Sequence, residues 1–108
     1  MLNWARVEEL REEVGPDAFG EVVELFLEEV TEALTRLDPG AASLEADLHF
    51  LKGAALNLGF DGFAGLCRGG ETAVRDGRPV DIASLRASYD QSLAAFLDRG
   101  RDAGFLAA

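Results

Sequence analysis

Apolar residues recur every three or four positions along the chain, and glycine and proline divide this pattern into five segments. The period is typical of amphipathic helices, and no stretch shows the strict alternation of a strand. The pattern predicts five helices, at about 3–14 with Asn3 as cap, 16–37, 41–58 with Ser43 as a possible cap, 62–75, and 81–99 with Asp81 as cap. We expect the last residues, 104–108, to fray.

The apolar positions of each predicted helix lie on one side and indicate a buried face. Outside the third helix they are Trp4, Val7, Leu10, Phe19, Val22, Val23, Phe26, Val30, Leu34, Leu37, Phe63, Leu66, Cys67, Val74, Ile82, Leu85, Tyr89, Leu93 and Phe96. Helices of this length with short connections pack most simply as an antiparallel bundle. We therefore expect an all-α fold: an antiparallel four-helix bundle with an additional short N-terminal helix over one end, forming a single domain over residues 1–108. The pair Gly69-Gly70 should weaken the fourth helix.

The acidic composition narrows the range of partners. Twenty acidic residues against ten Lys and Arg give a net charge of −10, so a nucleic acid or an anionic membrane would repel the chain. Hydrophobic residues make up 48% of the chain, but no apolar run approaches the roughly 20 residues of a membrane span. The first residues lack the layout of a secretory signal, and the lone Cys67 has no internal disulfide partner. We therefore expect a cytoplasmic protein without nucleic-acid or membrane partners.

The third helix carries the only histidine of the chain, His49. The core positions of this helix form a narrow seam at spacings of four and three, made of Leu44, Leu48, Leu51, Ala55 and Leu58. At about 100° per residue, His49 lies roughly 140° from the centre of this seam. The pattern therefore predicts that His49 faces solvent, although an apolar residue stands on either side of it in the sequence.

Lys52, Gly53 and Leu56 follow His49 at helical spacing and share its side of the helix. A neutral imidazole is a competent nucleophile, and Lys52 offers positive charge where phosphoryl oxygens would lie. A glycine inside a helix costs about 1 kcal/mol relative to alanine, but Gly53 leaves room for another protein to approach His49. Leu56 offers apolar contact for docking. A lone surface histidine is commonly only a solvated residue, but the combination favours phosphoryl transfer.

The run HFLKGAALNLG, from His49 to Gly59, closely resembles the signature of histidine-phosphotransfer (HPt) domains. The downstream apolar, cysteine and acidic positions also fit this family; they are Phe63, Leu66, Cys67 and Glu71. The resemblance implies a four-helix bundle, phosphorylation of His49 and no autokinase activity. It also implies that Lys52 supports the phosphoryl group and that Gly53 permits docking.

The resemblance assigns further residues to the surroundings of His49. Arg75 matches a position where some members have a basic residue near the phosphohistidine. Glu71 matches a position where some members have a glutamine that hydrogen-bonds the imidazole, so an acid there is a departure. Glu45 and Leu56 are expected, with these residues, to take docking or supporting roles.

Together these features predict a phosphorelay intermediate. It would accept a phosphoryl group on His49 from a phosphorylated receiver domain and pass it to the aspartate of another receiver. The expected partners are response-regulator receiver domains, with a hybrid histidine kinase as a further candidate. We expect no cofactor in this chain, Mg²⁺ on the partner receiver, and a monomer.

Two other functions stay open from the sequence. A non-phosphorylated adaptor or inhibitor could bind a histidine kinase or receiver through the same face, although it would not need the imidazole. The chain could also be the phosphoacceptor module of a larger chemotaxis-type kinase. Cys67 lies on an inward face, and one histidine with one cysteine is poor material for a metal site, so neither thiol catalysis nor a metal is expected.

Overall fold

The computed structural model describes residues 1–106, which contain five α-helices and no strand. The helices are α1 (Trp4–Val14), α2 (Pro16–Arg36), α3 (Leu44–Leu58), α4 (Asp61–Arg75) and α5 (Ile82–Asp102). Helices α2 to α5 form the bundle, and the predicted all-α fold is confirmed. None of the described helices is both long enough and apolar enough to cross a lipid bilayer.

The helices begin and end at residues with clear local causes. The Asn3 side chain accepts a hydrogen bond from the Arg6 amide at 3.2 Å, which confirms the predicted cap of α1. The Asp81 side chain accepts one from the Ser84 amide at 3.0 Å at the start of α5. Helix α3 ends at Gly59, whose φ of 76° is left-handed and therefore suits glycine.

Helix α3 begins at Leu44, later than the predicted start near Ala41. The Ala41 amide instead donates to the Asp38 carbonyl at 3.0 Å, which closes a turn before the helix. Ser43 stands at the N-cap position, but its hydroxyl donates to the Asp47 carboxylate at 3.1 Å and caps no backbone amide. The suggested capping role of the Ser43 side chain is therefore wrong.

Most of the predicted inward residues are buried in the core, and Phe26, Val74, Ile82 and Leu93 are partly buried against it. Val22 is half-buried and is not part of this core. All five seam residues of α3 are buried, and so are the inward residues of α1. Leu66 on α4 is 45% exposed, so its inward placement was wrong. It lines a cleft beside the α4–α5 connection, because Ala64 and Gly70 take the buried positions around Cys67 instead.

The paired glycines of α4 do not interrupt the helix, which runs through both. Gly70 is buried, and a Cβ atom there would lie 3.0 Å from Leu48 Cδ1. A side chain at this position would require the Leu48 side chain to shift by a few tenths of an ångström, so Gly70 favours the close approach of α3 and α4. At Gly69 no described residue comes within 4 Å of the equivalent position, and nothing in the structure explains this glycine.

Helix α1 covers the end of the bundle at which α3 finishes. The Asn3 amide donates to the Gly59 carbonyl at 2.6 Å, and the Trp4 ring lies 6.0 Å from that of Phe96 on α5. His49 precedes Gly59 by ten residues, about 15 Å along the helix axis. The short N-terminal helix therefore leaves the surface around His49 uncovered.

The described C-terminal residues pack against the bundle and do not fray. The Phe105 ring stacks on Trp4 with centroids 5.6 Å apart and meets Phe19 edge-on at 6.1 Å. The Arg11 guanidinium lies 4.4 Å from the centroid of the Phe105 ring. The expectation of fraying is therefore wrong for this segment, because Phe105 finds an aromatic site between α1 and α2.

The backbone leading to Phe105 is also ordered by hydrogen bonds. Helix α5 reaches Asp102, past its predicted end near Arg99. The Phe105 amide then donates to the Gly100 carbonyl at 2.8 Å, which turns the chain back toward α1. Residues 107–108, also predicted to fray, lie outside the described residues.

The packing of Phe105 predicts a stability contribution from the C-terminal segment. Phe105→Ala should lower the free energy of unfolding by about 1–3 kcal/mol, less than for a fully buried phenylalanine. Leu25→Ala, at a residue that is 56% exposed, is the matched control and should change it by less than about 0.5 kcal/mol. Urea unfolding followed by Trp4 fluorescence measures both. An unchanged midpoint for Phe105→Ala would show that the segment is not anchored.

Candidate functional site

His49 stands on the solvent-facing side of α3, with 72% of its side chain exposed. Its neighbours Leu48 and Leu51 are fully buried and fix the rotation of the helix. The imidazole therefore points away from the core, as the helical pattern predicted.

A buried carboxylate faces His49 from α4. The Glu71 side chain is only 3% exposed, and its Oε2 atom lies 3.4 Å from His49 Nδ1. Its Oε1 atom lies 3.0 Å from Nζ of Lys52, the only lysine of the chain. Arg75, one turn further along α4, brings Nη2 to 3.3 Å from Glu71 Oε2. One carboxylate thus joins the imidazole to two cations, and the acid at this position does reach the imidazole.

The surroundings of Glu71 keep it ionised. Burial acts to raise the pKa of this carboxyl, but hydrogen bonds from Lys52 and His49 and the charge of Lys52 outweigh burial, so the pKa lies below its ordinary value. A buried carboxylate without such partners would be strongly destabilising. The stability that this pairing contributes is present above the ordinary carboxyl pKa and is lost as the pH falls through the lowered value.

A second acid holds Arg75 from α3. Arg75 Nε donates to Glu45 Oε2 at 2.7 Å, and both side chains are partly exposed. Beside this pair opens a cleft of about 470 Å³, lined by Ala42, Glu45, Ala46, His49, Glu71 and Arg75. The structure thus brings together five residues singled out from the sequence, namely Glu45, His49, Lys52, Glu71 and Arg75.

The surface next to His49 is open and partly apolar. No atom of residues 1–106 would lie within 4 Å of a Cβ atom at Gly53, so this residue lies on open helix surface as expected. Leu56 is 41% exposed. Phe50 is 45% exposed on the same helix and was not recognised from the sequence. Its position off the apolar seam was the available signal. We call Phe50, Gly53 and Leu56 the open strip.

Cys67 is a buried thiol and does not belong to this exposed surface. It is fully buried, and burial, followed by the negative charge of Glu71, raises the pKa of its thiol to about 12. The thiol is therefore protonated at neutral pH and packs as a small apolar side chain. Within residues 1–106, no group of three or more His, Cys, Asp and Glu side chains is placed to hold a metal ion.

Comparison with known families identifies the bundle. The sequence matches the family model described as Hpt domain over residues 21–99, which is well over half of the chain and includes every residue around His49. No curated protein and no solved structure gives a significant match. The chain therefore belongs to the Hpt domain family, whose members carry out histidine phosphotransfer in two-component phosphorelays.

Proposed function

We propose that this chain is a phosphorelay intermediate that accepts a phosphoryl group on His49 from a phosphorylated receiver domain. It then passes the group to the aspartate of another receiver, and a hybrid histidine kinase is a candidate source of the first receiver. The observation that carries the proposal is the placement of the sole histidine. Its imidazole is 72% exposed, yet it is anchored from behind by the buried carboxylate of Glu71.

The Glu71 contact favours one nitrogen as the nucleophile. When Nδ1 carries the proton and donates it toward Glu71 Oε2 at 3.4 Å, Nε2 on the other side of the ring keeps its lone pair. In the proposed step this lone pair attacks the phosphorus of a receiver aspartyl phosphate. The N–P bond forms as the P–O bond to the aspartate breaks, and the carboxylate leaves with the electron pair. The ring is then cationic, with its proton on Nδ1 facing Glu71, and the reverse step reloads a receiver.

Lys52 supplies positive charge to the transferring group in this proposal. Its side chain is 20% exposed and is oriented by Glu71. A pre-oriented cation stabilises charge that develops on phosphoryl oxygens without reorganisation during the reaction. The Mg²⁺ that assists the transfer is assigned to the receiver, and this chain contributes no cofactor.

The open strip serves as the approach surface in this proposal. Phe50 and Leu56 offer exposed apolar contact on either side of Gly53. Gly53 leaves open space beside the imidazole. A receiver aspartate must come within bonding distance of His49, so a surface without a side chain at this point favours transfer.

Replacing His49 tests the acceptor directly. His49→Gln should abolish phosphoryl acceptance, because no other imidazole exists in the chain. Its melting temperature should change little, because the side chain is mostly exposed. The measurement is transfer of labelled phosphate from phosphorylated receivers of the same source, with acid-labile, base-stable label expected in the wild type. Label that persists in the variant would place the acceptor elsewhere.

The role of Lys52 predicts a graded loss of rate. Lys52→Ala should slow transfer by about one to two orders of magnitude, as for other single electrostatic contributions. Lys52→Arg should be milder, because the charge is kept while its geometry changes. Arg101→Ala, which removes a cation from the far end of α5, is the control and should transfer at the wild-type rate. Rapid quench measures the transfer rates. Equal rates for the wild type and all three variants would remove Lys52 from the mechanism.

Substitutions at Gly53 should change the free energy of unfolding and the transfer rate in opposite directions. Gly53→Ala should stabilise the domain by roughly 0.5–1 kcal/mol, because the helical site is open. Transfer should nevertheless fall for Gly53→Ala and fall further for Gly53→Gln, because both place atoms beside His49.

Gly20 provides the matched control for this pair of measurements. It is a helical glycine on α2 that also has open space around it. Gly20→Gln should leave the transfer rate unchanged. The approach hypothesis fails if Gly53→Gln transfers as fast as the wild type, and the helical placement fails if Gly53→Ala unfolds the domain.

A further inference from the structure

Arg75 is shared between two carboxylates at the edge of the His49 cleft. Its Nε atom donates to Glu45 at 2.7 Å, and Nη2 donates to Glu71 at 3.3 Å. A guanidinium has five N–H donors, so three remain for another acceptor. The side chain is 59% exposed, and the cleft beside it reaches His49. Arg75 can therefore turn toward a group on His49.

The charges around His49 balance before any phosphoryl group arrives. Two cations, Lys52 and Arg75, are paired with two acids, Glu45 and Glu71. A phosphoryl group brings up to about two negative charges and three acceptor oxygens. The added charge must draw a cation away from one of the acids or remain uncompensated.

Glu45 is the acid from which a cation is most easily withdrawn. Glu71 is 3% exposed and keeps Lys52, so leaving it unpaired would expose a buried charge to a large desolvation cost. The Glu45 side chain is 43% exposed, and water solvates it once Arg75 leaves. The exchange of Arg75 between Glu45 and the phosphoryl group therefore costs little.

We infer that Glu45 is a positioning residue that holds Arg75 at the cleft and competes with the phosphoryl group of His49 for its guanidinium. This inference rests on the proposed phosphorylation of His49. Because Glu45 competes for the guanidinium, Arg75 binds the phosphoryl dianion less strongly, and the group stays available for transfer. Glu45 thereby limits the strength of the interaction between Arg75 and the phosphoryl group, and it does so without contacting the reacting atoms.

The test needs no partner protein. The full chain is phosphorylated with phosphoramidate, in which the P–N bond breaks, the phosphoryl group moves to His49 and ammonia leaves. A ³¹P NMR titration then reports the ionisation of the phosphoryl group on the protein. Nearby cations favour its dianion and lower the pH midpoint, whereas nearby acids raise it. The charged groups facing it are Glu45, Lys52, Glu71 and Arg75.

Glu45→Gln should lower the ³¹P midpoint by about 0.3–0.7 pH unit, a two- to fivefold change typical of an exposed ion pair. Arg75→Gln should raise it. The shift caused by Glu45→Gln should shrink when Arg75→Gln is already present, because no guanidinium is left to compete for. Asp47→Asn removes an acid from the same helix that bonds Ser43 instead, and it should leave the midpoint unchanged.

Three outcomes would overturn the inference. An unchanged midpoint for Glu45→Gln, or a rise, would show that Glu45 does not compete. An equal shift in the presence and absence of Arg75 would show that Glu45 acts only through its own charge. If neither phosphoramidate nor any receiver phosphorylates His49 of the wild type, the proposed function and this inference both fail. If the protein is phosphorylated but the variants do not move the ³¹P midpoint, this inference alone fails.

Discussion

The pairing of the buried Glu71 carboxylate is the interaction on which the geometry of the site depends. A carboxylate that is 3% exposed is tolerated only when its charge is compensated by close partners. Lys52 and His49 supply that compensation from α3, and Arg75 supplies it from α4 itself. The same contacts that stabilise a charged group between two helices therefore orient an imidazole and a cation at the surface.

This pairing requires α3 and α4 to lie close together. Gly70 favours this approach, since a Cβ atom there would lie 3.0 Å from Leu48 Cδ1 and would require that side chain to shift. The apolar seam of α3 turns inward toward that contact and leaves His49 and Gly53 outward. Packing thus fixes which face of α3 is free, and the short helix α1 covers the bundle end that lies away from it.

Periodicity was sufficient to predict the helices, the seam of α3 and the exposure of His49, because each depends on spacing within one segment. It failed where the outcome depends on a neighbouring helix or on distant residues. Leu66 is exposed because Ala64 and Gly70 occupy the inward side of α4, and Phe105 is anchored by aromatic rings from α1 and α2. The family resemblance predicted that Glu71 and Arg75 lie near His49. Only the structure shows that Glu71 binds Lys52 and that Arg75 binds Glu45.

The most direct test of the central claim is the long-range ¹H–¹⁵N NMR spectrum of the single imidazole, recorded before and after phosphorylation of the ¹⁵N-labelled protein. The contact between Glu71 and His49 Nδ1 predicts that the proton resides on Nδ1 in the free protein. It also predicts that phosphorus couples to Nε2 in the phosphorylated one. Coupling to Nδ1, or a phosphorylated protein whose imidazole spectrum does not change, would contradict the role assigned to His49 and its buried carboxylate.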